Sequence, residues 1–156
     1  MKLTKPKLKQ IIKESLEDEY KEKLLTIFKA GNHQQAIELS KQVDMKDFLV
    51  GANLTGANLT GANLTGANLK DARLTYAELA GADLTGANLE DADLYNVDLE
   101  DAKLRGTDLR SANLRSAVLL GANLRRANLT GADLYSAFLS NIKHDKDTVW
   151  PEGFTP

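Results

Sequence analysis

Leucine recurs at every fifth position from Leu49 to Leu139, nineteen times without a gap. Two residues before it stands Ala in sixteen of those units; the other three carry Asp47, Val97 and Thr107. A helix turns about 100° per residue, so a five-residue step would scatter these leucines around its whole circumference. A straight strand fails too, because an odd step throws successive leucines to opposite faces. One bend per unit brings them all to a single interior, and four equal bends close a square of about twenty residues. Self-similarity at a fixed short period marks a solenoid. The pattern therefore predicts an all-β solenoid over residues 47–141. Its height is slightly under five rungs, or about 23 Å at the spacing of stacked strands.

The remaining positions of each unit suit that geometry. Two residues after the leucine comes Gly in nine units, Gly51, Gly86 and Gly121 among them. Glycine readily supplies the positive φ that a type II turn needs at its third residue. The ten corners without Gly, such as Asp71, Tyr76 and Arg126, are expected to use other turns. Inside, leucine and a small partner fill a crowded section, where a larger residue would overpack. Thr107 must there find a partner for its hydroxyl.

The strings GANLTGANLTGANLTGANL at 51–69 and GADLTGANLEDADL at 81–94 resemble the A(D/N)LXX repeats of the pentapeptide repeat protein family. The likeness is to the bacterial type with an N-terminal helical extension, and it covers residues 47–141. It implies a right-handed quadrilateral β-helix with the leucine and the small residue inward and the other three outward. The handedness comes from the resemblance, since the period does not set it.

Residues 5–43 read as helix, with Leu8, Ile11, Ile12, Leu16, Tyr20, Leu24, Leu25, Ile27 and Phe28 at three- and four-residue spacing. Gly31 or Asn32 suits the left-handed position that ends a helix, and a second helix follows from His33 to about Val43. The stretch FKAGNHQQAIELSKQ also resembles the turn and second helix of a single tetratricopeptide repeat. Residues 1–46 are expected to form an α-helical cap on the open first rung, with Phe48 and Val50 as its apolar floor. Register ends at Ile142, and a leucine would be due at His144. Residues 142–156, with Trp150 and two of the three prolines, are then a tail packed on the last rungs.

Composition narrows the chemistry. Without cysteine there is no disulfide, thiolate metal site or Cys nucleophile. No stretch approaches the ~20 apolar residues of a membrane helix, and the charged start lacks a signal-peptide apolar run. These features predict a cytoplasmic chain that does not bind a membrane. Net charge is +3 over residues 1–46 and −4 over 47–141, too even to demand a nucleic acid.

Residues twenty apart stack on one wall, so the exterior can be laid out from the sequence. Val118, Leu120 and Phe138 share a wall and form the one evident apolar patch. Trp150 and Phe154 are expected to fold back over it; the alternative is a dimer or partner interface. Below it gather Glu78, Asp98, Glu100 and Asp101, whose spacing matches no calcium loop and reads as hydrated charge. A basic face carries Lys103, Arg105, Arg125 and Arg126, and Tyr95, Arg115 and Tyr135 form a column on another wall. Arg115 is expected to stack between the two rings. His33 and His144 have no catalytic companions, and a filled coil offers no dry pocket.

These readings predict no enzyme, no catalytic residues, no cofactor and no metal. They predict instead a rigid non-catalytic module that presents its outer faces to an unidentified protein partner, as a monomer or weak homodimer without a small-molecule substrate. The family resemblance also implies a second function, mimicry of DNA to inhibit or protect a type II topoisomerase such as DNA gyrase. A self-assembling spacer is a third.

Overall fold

A computed structural model describes the backbone of residues 5–42 and 47–156. The chain divides into two compact units, Met1–Phe48 and Leu49–Pro156. The expected domain boundary at residue 46 and helix end near Val43 lie outside the described residues, as do the side chains of Leu8, Ile11, Ile12, Leu16 and Leu39.

In the first unit, α1 spans Lys5–Lys29 and α2 spans His33–Gln42. Gly31, at φ 87°, closes α1. Its N–H donates to Phe28 O at 3.0 Å and the Asn32 N–H to Ile27 O at 3.2 Å, the two bonds of a Schellman cap. The helices pack on each other and bury Leu24, Leu25 and Phe28 of α1 with Ala36 of α2. The Phe28 ring meets Phe48 edge-on, centroids 5.9 Å apart.

The second unit is a coil with one bridging residue per side. Parallel bridges link residues twenty apart, from Asn53–Arg73 through Val118–Phe138 to Asn123–Lys143. Each wall therefore repeats once per rung. The first wall is centred on Leu49, Leu69, Leu89, Leu109 and Leu129; the second runs from Leu54 to Leu134; the third from Leu59 to Leu139; the fourth from Leu64 to Leu124. Most of the leucines and their small partners are fully buried, while Ala137 and Leu139 on the last rung are only half-buried. Thr107 replaces Ala inside, and its Oγ1 donates to Leu84 O at 2.9 Å, which meets the cost of burying a hydroxyl.

A single unit shows why five residues suffice. Arg73 N–H donates to Ala52 O below it, and Leu74 N–H to Asp93 O above it. At the corner, Tyr76 N–H donates to Tyr95 O, and Ala77 N–H closes the turn onto Leu74 O. The N–H of the residue just after the leucine has no such backbone acceptor among the described residues. Where Asn or Asp precedes the leucine, its side chain accepts that N–H, as Asn53 does from Thr55 at 3.2 Å and Asp98 from Glu100 at 3.0 Å. The recurrent Asn and Asp are thus a structural part of the turn.

Two expectations are corrected. The corners without glycine do not change turn type: all ten, from Asp71 to Asn141, take φ between 53° and 60°. Through most of the coil the corner N–H must reach the carbonyl of the next rung, so stacking imposes the left-handed conformation on any side chain. Nor does the register stop at Ile142. Lys143 still pairs with Asn123, and after one extra residue Val149 pairs with Asn128. Thr148 then takes the place of the inner alanine and Trp150 that of the leucine above Leu129. Buried Thr148 donates from Oγ1 to Leu124 O at 3.0 Å, the same bond that Thr107 makes two rungs lower.

Candidate functional site

With a filled interior, the side chains open to solvent lie on the four outer walls. On three of them opposite charges meet across neighbouring rungs. The first wall carries a ladder in which Lys70 Nζ lies 3.1 Å from Glu90 and Arg110 reaches Glu90 at 3.2 Å and Asp108 at 2.7 Å. The hydrogen bond it donates to Glu90 holds the Lys70 ammonium above its ordinary pKa, and the Arg110 guanidinium holds the Asp108 carboxyl below its own. On the second wall Arg115 pairs with Asp133 at 3.1 Å. The Tyr135 N–H, then Arg115, draw the Asp133 pKa down. Arg115 lies over the Tyr135 ring at 4.7 Å, whereas Tyr95 turns edge-on to Tyr76 at 5.7 Å. The expected stack of Arg115 between two rings is therefore replaced by two separate pairs.

The fourth wall holds the sequence-predicted basic face, and half of it is engaged. Lys103 bonds Asp83 at 3.2 Å, and Arg126 lies 3.7 Å from Asp147. The Thr85 hydroxyl, with help from Lys103, lowers the Asp83 pKa. Arg105 and Arg125, stacked one rung apart and exposed, have no carboxylate within ion-pair distance among the described residues.

The third wall differs. Among the described residues, Glu78, Asp98, Glu100 and Asp101 form no ion pair, and only Asp98 is used, as the acceptor for Glu100 N–H. Above them Val118 bridges to Phe138, which is 58% exposed, and Leu120 is half-buried beside them. The three predicted patch residues are thus brought together. The expected cover is absent: Trp150 sits on the first wall, stacked on Phe154 at 5.3 Å and edge-on to His144 at 5.7 Å.

At the corner between the third and fourth walls runs an open groove of about 610 Å³, lined by Glu100, Asp101, Leu120, Gly121, Ser140, Asn141 and Lys143. Gly121 makes it possible, because Asp101 Oδ1 occupies the space that a Cβ at 121 would need. The sequence reading also missed the backbone donors of this wall. Glu78, Val118 and Phe138 stand where Asn or Asp usually precedes the leucine, so the N–H groups of Ala80, Leu120 and Ser140 on this wall have no acceptor among the described residues; Arg73 and Lys103 leave Thr75 and Arg105 in the same state on the second and fourth walls. The signal was present as a gap in the Asn/Asp column.

Eight copies of the pentapeptide repeats pattern match this chain, over residues 52–91, 72–110, 92–131 and 107–143. No curated protein matches it. Among solved structures it is similar to a pentapeptide repeat protein of the cyanobacterium Cyanothece 51142, with 36% identity, 64% of this chain and 88% of that one covered, and a TM-score of 0.46. A pentapeptide repeat protein of Nostoc PCC 7120 is 39% identical over 66% of this chain and 77% of its own, with a TM-score of 0.38. One from the Arabidopsis thaliana thylakoid lumen is 30% identical over 60% and 62%, with a TM-score of 0.33.

Proposed function

The chain belongs to the pentapeptide repeat family, and from that premise we propose that it is a non-catalytic interaction module. Its coil, a right-handed quadrilateral β-helix, serves as a rigid support that offers outer side chains to a protein partner. One observation carries this reading. Every ion pair among the described residues of the coil lies on the other walls, while the third wall keeps Glu78, Glu100 and Asp101 unpaired, its apolar side chains uncovered and three backbone donors without an acceptor among the described residues. Exposed apolar clusters of this kind are contact sites.

The interior supports the non-catalytic part, since the inner column is closed by leucine and alanine and the groove lies open to solvent. No helix among the described residues is long and apolar enough to cross a membrane. We place the module in the cytoplasm, in keeping with the absence of cysteine. In the test, single photo-crosslinking residues replace Thr130, Arg105 or Leu120, one on each of three walls, in living cells. The expected outcome is one specific protein adduct from one wall. Uniform or absent crosslinking from all three, across growth conditions, overturns the module.

A further inference from the structure

We propose that the third wall and its corner groove bind a basic, apolar-anchored segment of the partner protein, which rests on the interaction-module reading above. The chemistry is set by what the wall leaves unsatisfied. Its lower half holds carboxylates without cations, and its upper half holds Val118, Leu120 and Phe138, with Phe138 58% exposed. A segment lying along the rungs meets both halves at once. An aliphatic or aromatic side chain covers Phe138 and Leu120, while a lysine or arginine enters the groove toward Glu100 and Asp101. The free N–H groups of Leu120 and Ser140 point outward beside that anchor and donate to the segment's carbonyl oxygens. On the walls where Asn or Asp fills that role, the donor is already used, as by Asn128 for Thr130 at 3.1 Å.

Size decides against a second copy of the coil as the occupant. One wall is about five rungs tall and three residues wide, roughly 24 Å by 10 Å. Two such flat faces bury far less than the ~800 Å² per partner of a stable dimer. A slender segment can occupy the face and also dip into the groove, which a second flat wall cannot. Charge sets the sign of the segment. A basic one gains from every unpaired carboxylate it meets, which outweighs the single Lys143 in the groove lining, and an acidic one is repelled by the same carboxylates.

The test measures fluorescence anisotropy of two labelled peptides of about seven residues, one alternating lysine with leucine and phenylalanine, the other with glutamate in place of lysine. The expected result is saturable binding of the lysine peptide, weakened by salt, and none of the glutamate peptide. The double variant Glu100→Gln/Asp101→Asn weakens it about tenfold, and Phe138→Ser by about tenfold or more. Arg105→Gln/Arg125→Gln on the fourth wall leaves it within about twofold. All these positions face outward, and an unchanged thermal melt shows that the variants keep their fold. Equal binding of both peptides, or affinity insensitive to the third-wall variants, overturns the proposal. The crosslinking experiment separates the two readings. Adducts from Arg105 or Thr130 but not Leu120 overturn the third-wall assignment and leave the module standing, whereas no adduct from any of the three sites removes both.

Discussion

The first and third walls share one interior and differ entirely outside. Behind both lies a column of leucines with small partners, fully buried in the middle rungs. In front, the first wall ties Lys70, Glu90, Arg110 and Asp108 into a ladder, while the third leaves its acids and its apolar residues apart. The inward positions therefore specify the coil, and only the outward ones can distinguish this chain from another of the same fold. A wall that neutralises itself has little left to offer a partner.

The sharpest way to break this contrast is from the inside. Leu89→Ala on the first wall and Leu99→Ala on the third should each cost about 2–5 kcal/mol in urea unfolding, because both leave a cavity in a rigid section. A cheap loss at either one would mean that the walls do not share a core. Next comes the corner. At Gly86 an added Cβ meets nothing within 4 Å, so Gly86→Ala isolates the left-handed φ and should cost about 1 kcal/mol. Smaller still is the outer ladder. Glu90→Gln should lose under ~1 kcal/mol, an effect that vanishes in molar salt, whereas Glu100→Gln on the third wall should cost nothing.

The smallest effect is one of pH. Asp108 and Asp133 have folded pKa values below their ordinary 3.8. Their contribution is complete above that value and is lost as pH falls through the depressed one. The melting temperature of Asp108→Asn/Asp133→Asn should therefore fall less than that of the wild type between about pH 5 and pH 2. Parallel curves would show that these exposed pairs add no stability.

The four-sided coil was legible because the leucine period is strict, while its right-handedness came from the family resemblance. The contents of the apolar patch and the basic face were legible for the same reason, since residues twenty apart stack. Three features were not. Corner conformation is imposed by hydrogen bonds to the next rung, so Tyr76 and Arg126 give no sign of the φ values near 60° that they adopt. The register of Trp150 is hidden by one inserted residue, and only the buried hydroxyl of Thr148 reveals it. The pairing of surface charges depends on rotamers, which sequence spacing does not specify; it separated engaged Lys103 from unengaged Arg105.

The closed twenty-residue circuit also constrains how such a gene can change. Gaining one complete circuit before Leu119 would lengthen the coil and leave Phe138 facing the same way. Gaining a single unit of five would rotate everything downstream by a quarter-turn and carry Phe138 onto the face now held by Arg125. Both products would fold equally well. Small insertions can therefore reshuffle the exterior of this protein while its stability stays blind to the change.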